Sequence, residues 1–450
     1  MKIHFIGIGG IGTSAIARIM QSQGHEISGS DLEQTTLTKD LVRGGIKIFP
    51  RQEASNITED IDLIIFTEAI DQEVNPEFQR AQELGLILKS YREALGIISK
   101  EKKTIAVVGS HGKTTVTALL INIFLEAGED FSALLGGKME ELGGANFRVG
   151  KGDYFLAEAC EYKENFSEIR PVAAVLTNVE VDHLDYYRDE DHYKGAFSKF
   201  LSQVDKKGFV VLNMDDQNSQ EVSEKVSCRK VTYSLKKKAD YWGPKKGFGK
   251  FTLYQGSDCL GDISLNIPGE HNIYNALAAA ACALEVQIPF EAVKRGLEKF
   301  GGSWRRLEYR GSLNKAPVFD DYGHHPTQVK ATLKALKEKY PKKKLICVYQ
   351  PHQYSRTKYF LEKFGKAFLE ADEVIVPNIY CVRDSGKDLE DISPERLVAE
   401  ISKWHPNCRE RKGFEETIRY LREAASEDDL VVVMGAGDVY KITEELIGKK

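Results

Sequence analysis

Thr104-Ile105-Ala106-Val107-Val108-Gly109-Ser110-His111-Gly112-Lys113-Thr114-Thr115 reads as a short buried strand running straight into a phosphate loop. The backbone N–H groups of such a loop cradle phosphates, Lys113 reaches the β- and γ-phosphates, and Thr114 offers a hydroxyl to Mg²⁺. The usual G-x-x-x-x-G-K-[ST] spacing would place glycine at 107, where this chain has Val107, so the loop is a G-x-x-G-K-T-T variant. Its strand context and its Gly-Lys-Thr-Thr core point to ATP. About a hundred residues earlier stands a loop of a different kind. There Ile3-His4-Phe5-Ile6 leads into Gly7-Ile8-Gly9-Gly10-Ile11-Gly12, a G-x-G-x-x-G pattern, with Asp31 lying 19 residues past Gly12. Bare glycines let the backbone approach a diphosphate, and the following helix start supplies N–H donors. NAD(P) is the default ligand of that pattern; another diphosphate such as a UDP-sugar fits as well. A chain with both loops holds two phosphorylated ligands.

The 450 residues suggest about three domains of roughly 150 residues each. An apolar fraction of 42% lets each bury a core. Sixty-two basic and 67 acidic residues leave a net charge of −5, which gives no reason to bind nucleic acid or a membrane surface. The seven cysteines show no C-x-x-C pair and read as reduced thiols of a cytoplasmic protein, without a disulfide framework or a zinc site. Glycines break the apolar N-terminus, so it reads as strand–loop–helix and not as a signal peptide. No stretch is long enough to cross a membrane as a helix.

Short apolar runs alternate with amphipathic stretches, the mark of α/β architecture with mostly parallel sheets. Expected strands in the first part are 3–6, 46–49, 63–66 and 86–88, with helices over 13–23 and 76–84. The charged segment Ser99–Lys103 suggests a boundary. Strands at 154–157, 173–176 and 209–212 follow, then a lysine-bearing region, 234–261, that reads as solvated loop, and an alanine-rich helix over 274–284. Strands at 317–320, 345–349, 373–377 and 430–434 end the chain, the last running into Gly435-Ala436-Gly437-Asp438.

Two strand ends carry acids. One is Phe155-Leu156-Ala157-Glu158-Ala159-Cys160-Glu161; the other is Thr177-Asn178-Val179-Glu180-Val181-Asp182-His183. Ligand sites of parallel sheets form at the carboxyl ends of strands, and oxygen ligands suit Mg²⁺. Glu158 is the expected metal ligand, with His183 pointing to a second metal site.

Gly109–Thr115, Glu158, Thr177-Asn178 with Asp182-His183, Gly269-Glu270-His271-Asn272-Ile273-Tyr274-Asn275 and Arg305-Arg306 together resemble the Mur ligase family, ATP-dependent amide-forming enzymes of peptidoglycan assembly. The resemblance covers essentially the whole chain. Asp320-Asp321-Tyr322-Gly323-His324-His325-Pro326-Thr327 and Gln350-Pro351-His352-Gln353-Tyr354-Ser355-Arg356-Thr357 are similar to motifs of the alanine-adding branch.

The resemblance implies three domains: a Rossmann-like UDP-sugar-binding domain over 1–99, a P-loop ATPase domain over 100–308, and a Rossmann-like amino-acid-binding domain over 309–450, hinged near 100 and 308. Gly7, Gly9, Gly10, Ile11 and Gly12 then hold the diphosphate of a UDP-sugar, with Ser30, Asp31 and Thr67 lining that ligand. Gly109, Ser110, His111, Gly112, Lys113, Thr114 and Thr115 hold ATP, Asn272 and Asn275 read adenine, and Arg306 and Asp321 approach the nucleotide. Thr114, Glu158 and His183 take Mg²⁺. Tyr322, His324, His325, His352 and Arg356 form the amino-acid end, where Arg356 suits an α-carboxylate and a histidine serves the amine.

The implied activity joins L-alanine to the lactyl carboxylate of UDP-N-acetylmuramate through an acyl phosphate, in a monomer or weak homo-oligomer. Ligation of a preformed peptide to the same acceptor is the rival within the family, and an NAD-dependent oxidoreductase is the rival from another class. The chain departs from the family pattern in several places. Gln353 stands where Q-P-H-R-Y-S-R-T has its first arginine, Cys160 interrupts E-A-D-E-S-D, and Thr67-Glu68 replaces a serine pair. Phe197 stands near the position that carries a carbamylated lysine in some relatives, so no carbamate is expected, and Lys199 reads as a surface lysine.

Overall fold

The computed structural model describes residues 1–382 and 384–448. The chain forms two compact units, one of residues 1–179, 194–233 and 278–296, the other of 180–193, 234–277 and 297–450.

The first unit carries two sheets. In the first, β1 (Lys2–Ile6), β2 (Glu26–Ser30), β3 (Lys47–Phe49), β4 (Leu63–Phe66) and β5 (Ile87–Ser90) lie in the order β3-β2-β1-β4-β5, all parallel. Beta-1 is central and buried on both faces, which is why Ile3–Ile6 reads as a mostly apolar run with no alternation, its His4 buried as well. The chain reverses its winding here, so the loop after β1 opens at the switch point where ligands of such sheets bind. The second sheet comprises β6 (Lys103–Val108), β7 (Phe131–Leu134), β8 (Phe147–Arg148), β9 (Tyr154–Glu158), β10 (Ala173–Leu176), β11 (Phe209–Asn213) and β12 (Arg229–Ser234), in the order β12-β11-β10-β6-β9-β7-β8. Beta-6 lies between β10 and β9, parallel to both. The Gly109–Thr115 loop therefore leaves the sheet flanked by the ends of two neighbours, and these are the ends that carry Thr177-Asn178 and Glu158.

In the second unit β15 (Lys250–Gln255) pairs antiparallel with β13 (Tyr241–Trp242), β14 (Lys245–Gly247) and β16 (Asp258–Ser264). This corrects the expectation of a solvated loop over 234–261. Lys245, Lys246 and Lys250 are strand residues on exposed positions, while Phe251 and Leu253 are fully buried; Lys236, Lys237 and Lys238 lie in an exposed loop, as expected. The last sheet has the order β17-β18-β22-β19-β20-β21, with β17 (Glu308–Leu313) antiparallel to β18 (Ala316–Asp321) and β19 (Lys344–Tyr349), β20 (Glu373–Val376), β21 (Cys408–Glu410) and β22 (Asp429–Met434) parallel. Its two faces follow period two. Cys347, Tyr349, Val432 and Met434 pack with Val329, Leu333, Phe364 and Phe368 on one side; Ile346, Val348, Val431 and Val433 pack with Leu421, Val439 and Ile442 on the other.

Helix Tyr91–Glu101 runs through the charged stretch at 99–103, and β6 starts at Lys103, so that stretch is a helix end and a strand start. The alanine-rich helix spans Glu270–Glu285, longer than its apolar core suggested. Helix Lys113–Glu126 is buried on nearly every side, and its Asn122 donates to the Gly296 carbonyl at 2.7 Å. Asn122→Ala leaves that carbonyl buried without its donor. The expected loss is about 1–3 kcal/mol in the stability of the first unit, read as a lower denaturation midpoint; an unchanged midpoint would show the carbonyl is satisfied another way.

Candidate active site

The first glycine loop is tied down by its own sheet. The amides of Gly7 and Ile8 donate to the Ser30 carbonyl at 2.9 and 3.0 Å. The Gly9 amide donates to Asp31 Oδ2 at 2.7 Å, and Asp31 Oδ1 accepts from the Glu33 amide at 2.9 Å. Asp31, expected to meet the ligand, thus also fixes the loop. A Cβ on Gly7 would lie 2.5 Å from the Thr67 methyl, and one on Gly12 would lie 2.6 Å from the Tyr91 hydroxyl. Gly10 caps helix Ile11–Ser22 through its backbone alone, and Ile11 is exposed. Ser30 in turn donates to Glu77, which is fully buried between Ser30, Asn56 and His4.

The second loop is held from the neighbouring strand. Thr177 Oγ1 donates to the His111 carbonyl at 2.6 Å, and Asn178 Nδ2 donates to the same carbonyl at 3.0 Å. Asn178 Oδ1 accepts the His111 amide at 3.0 Å, and its carbonyl accepts the Ser110 amide at 3.0 Å. Gly109 has φ 135° and approaches so closely that a Cβ would fall 2.0 Å from Thr177 Oγ1, so only glycine fits. Gly112, at φ 86°, opens the helix that carries Lys113, Thr114 and Thr115. Thr114 Oγ1 donates to Glu158 Oε1 at 2.9 Å, and Glu158 Oε2 accepts the Gly136 amide at 2.7 Å. A hydroxyl and a carboxylate side by side beside a phosphate loop are the hard oxygen donors that Mg²⁺ takes. Lys113 Nζ lies 2.7 Å from Glu161. Burial pulls the lysine pKa down, but Glu161 and its neighbours outweigh this and leave it raised, so the lysine stays charged. Tyr91, packed on Gly12, has its hydroxyl pKa raised by burial and then by Cys160, Glu68 and Glu158.

In the second unit the residues expected at the amino-acid end gather around Asp182. Arg356 Nε and Nη2 each lie 2.9 Å from Asp182 Oδ1, and His324 Nε2 lies 3.7 Å from Oδ2. Arg356 Nη1 also reaches His352, 3.0 Å from Nδ1 and 3.1 Å from the carbonyl. Burial would raise the Asp182 pKa, but Arg356, His183 and His324 hold it well below the usual carboxylate range. Burial pushes His324 down to about 4 against the pull of Asp182, so its ring is neutral at neutral pH. His352 stacks on Tyr380 at 5.4 Å between centroids, and Tyr322 meets His324 edge-on at 5.6 Å. His183 has φ 56°, strain of the kind found at functional sites. His325 is fully buried, accepts the Thr327 amide as a helix cap and packs on Phe360.

Asn272 and Asn275 are hydrogen-bonded to each other at 3.1 Å on the first turns of helix Glu270–Glu285. Arg306 stacks over the Tyr322 ring at 4.8 Å. Its neighbour Arg305 points into the protein, donating from Nε to Asp320 at 3.0 Å and from Nη1 to the Gly437 carbonyl at 3.0 Å. Asp321 accepts the amides of Leu307 at 2.7 Å and Gly323 at 2.8 Å, so it fastens the chain around Arg306. Gln353 is buried at φ 73°, with its amide 3.4 Å from the Val382 carbonyl. Phe197 packs on Phe166 at 5.7 Å in the core, and Lys199 pairs with Glu164 at 3.0 Å on the surface.

Sequence reasoning passed over Tyr91, Glu161, Glu77, Tyr380 and Asp182 as site residues. Glu161 and Asp182 lay inside the acidic strand ends already quoted. Nothing in the spacing marks Tyr91, Glu77 or Tyr380, because each acts across the fold.

Family models match end to end: "Mur ligase family, catalytic domain" over residues 2–103, "Mur ligase middle domain" over 107–283, and "Mur ligase, glutamate ligase domain" over 305–437. The chain belongs to the Mur ligase family and has its three-domain α/β fold. It is 41% identical over 454 residues to the UDP-N-acetylmuramate–L-alanine ligase of Alkaliphilus metalliredigens, covering 100% of this chain and 97% of that one. It is 40% identical to the enzyme of the same name from Acetivibrio thermocellus, covering 100% and 96%. The crystal structure of UDP-N-acetylmuramate-alanine ligase from Thermotoga maritima aligns with TM-score 0.81 at 29% identity, covering 99% and 98% of the two chains. A murein peptide ligase from Psychrobacter arcticus shares the fold at TM-score 0.73 and 22% identity.

Asp320 supplies a pH test. Burial first, then Asp321 and Glu308, raise its pKa to about 6 despite Arg305. The folded state therefore binds this proton more tightly than the unfolded chain. The resulting stability is present in full below about pH 4 and is lost as pH rises through about 6. Asp320→Asn should flatten the decline in unfolding free energy of the second unit between those values, a change of order 1–3 kcal/mol; an identical slope in the variant would place the titration elsewhere.

Proposed function

We propose that this protein joins L-alanine to the lactyl carboxylate of UDP-N-acetylmuramate at the expense of ATP. The observation that carries this reading is the 41% identity across the whole chain to an enzyme of that name. The roles we assign to the residues follow from this reading. The acceptor's diphosphate lies on the Gly7–Gly12 loop, with Ser30, Asp31 and Thr67 alongside. ATP lies on the Gly109–Thr115 loop, with Asn272 and Asn275 toward the base and Arg306 and Asp321 from the last part of the chain. Domains of 1–99, 100–308 and 309–450 suit the three family-model matches.

The acceptor carboxylate attacks the γ-phosphorus and ADP leaves, giving an acyl phosphate. The amine of L-alanine then attacks the acyl carbon and inorganic phosphate leaves, with one ammonium proton released. Positioning and charge stabilisation dominate such transfers, and Lys113 and Arg306 supply fixed positive charge. Thr114 and Glu158 would hold Mg²⁺, with His183 toward a second ion; the metal supplies charge neutralisation on the phosphates. His324, neutral at working pH, and His352 serve the amine, Arg356 serves the amino-acid carboxylate, and Tyr322 lines that end. His325 supports them as the buried cap. We place the activity in the cytoplasm, where UDP-linked precursors and ATP are available, in a monomer or weak homo-oligomer. Among the described residues no helix is long and apolar enough to cross a membrane.

Phosphate release with UDP-N-acetylmuramate and each of alanine, glycine, serine and a murein tripeptide tests this. Alanine should be preferred; no release with any amine donor refutes ligation, and preference for the tripeptide favours the rival. Lys113→Ala should lower turnover by about 10²–10³-fold, and a near-normal rate would remove the loop from the mechanism.

A further inference from the structure

The lysine of the nucleotide loop already has an anion. Lys113 Nζ donates to the carbonyls of Gly109 at 2.5 Å and Ser110 at 3.2 Å and forms an ion pair with Glu161 at 2.7 Å. Both partners are sheltered from water, with side-chain exposures of 12% for Lys113 and 2% for Glu161. Their ion pair is therefore weakly screened.

Glu161 is also held in place by the backbone around it. It lies three residues beyond Glu158, at the end of β9, and its carbonyl accepts the Glu164 amide at 2.8 Å. The next turn contains Lys163 and Glu164, both at φ 52°, a left-handed conformation that costs a non-glycine residue energy and persists only where its surroundings impose it. Lys199 clamps the Glu164 side chain at 3.0 Å. Two carboxylates thus sit at this strand end with different partners: Glu158 faces the Thr114 hydroxyl, while Glu161 faces the lysine.

We propose that Glu161 competes with the nucleotide's phosphates for Lys113 and so acts as a positioning residue that sets nucleotide affinity. This rests on the reading of Gly109–Thr115 as the ATP loop. In the free protein Glu161 keeps the lysine folded over its own loop. When phosphates arrive, Lys113 exchanges one anion for another, and the buried carboxylate left behind opposes the bound nucleotide. Net attraction for ATP and ADP is therefore weaker than the loop alone would give, which keeps ADP from remaining bound after phosphoryl transfer.

The test is titration calorimetry of ATP and of ADP, with Mg²⁺, on the full chain and its variants. Glu161→Gln keeps the shape and removes the charge. It should bind both nucleotides about 3- to 10-fold more tightly, with the KM for ATP falling and kcat not rising. Most of that tightening should vanish in the Lys113→Ala background, because the competed group is gone. Glu161→Asp, which keeps the charge on a shorter arm, should stay closer to wild type and serves if the glutamine variant does not fold. Loss of folding alone does not tighten binding, so a merely structural role predicts the opposite sign. Equal or weaker affinity in Glu161→Gln, or in its absence Glu161→Asp weaker than wild type, overturns the inference while leaving the ATP loop intact. A wild-type chain that binds neither nucleotide, or binds them unaffected by Lys113→Ala, overturns the loop reading and this inference with it.

Discussion

The grip of Asn178 and Thr177 on the His111 peptide is the constraint on which the nucleotide half of the site depends. A full-length phosphate loop has four residues between its glycines. This one has only two between its glycines, because Val107 stays in the sheet, paired with Val175 on one side and Glu158 on the other. The missing turn is replaced by a side chain from β10's end: one asparagine satisfies both the amide and the carbonyl of His111, and the threonine adds a second donor to that carbonyl. The loop is thus shaped by a neighbouring strand. The same parallel register delivers Glu158 beside Thr114, since β9 ends where β6 gives way to the loop.

A comparable economy governs the second unit, where two arginines are buried against two aspartates. Arg356 with Asp182 orients the histidines, and Arg305 with Asp320 anchors the Gly435–Gly437 turn beside Tyr322. Buried pairs of this kind contribute little net stability against an apolar replacement, whereas removing one partner is strongly destabilising. Their value here is directional. Arg305 is flanked by the rings of Trp304, Tyr322 and Tyr440, and its adjacent residue Arg306 also lies over Tyr322, at 4.8 Å. Consecutive arginines, identical in composition, take different tasks.

The sequence made the strands bearing the glycine loops legible because they are central, buried on both faces and mostly apolar. It also made the strand-end acids legible, since spacing alone puts Glu158 and His183 just past short apolar runs. The antiparallel strands over 241–264 escaped notice because lysines occupy their exposed positions and tight turns at Gly249 and Gly256 interrupt the alternation. The charged stretch at 99–103 is a helix end and a strand start: Ser90 and Glu93 form a capping box at the other end of that helix, and tertiary burial of Ala94, Leu95 and Ile98 carries it to Glu101. Glu77 and Tyr91 were illegible in principle. Each is a single residue on an ordinary helix, and only the folded sheet brings them to Ser30 and Gly12.

Gln353 shows how a departure from a motif divides between backbone and side chain. Its backbone does what this position requires: at φ 73° it donates to the Tyr380 carbonyl, accepts from Thr357, and starts helix Tyr354–Tyr359 so that Arg356 turns back toward Asp182 and His352. Such a conformation costs about 1–3 kcal/mol and needs that web of bonds to hold it. Its side chain, by contrast, is buried toward Val382 and carries no charge. The family motif offers two arginines here; this chain keeps the one that is already committed to Asp182. In the proposed reaction an amino-acid carboxylate would share Arg356 with a buried aspartate, which weakens the attraction.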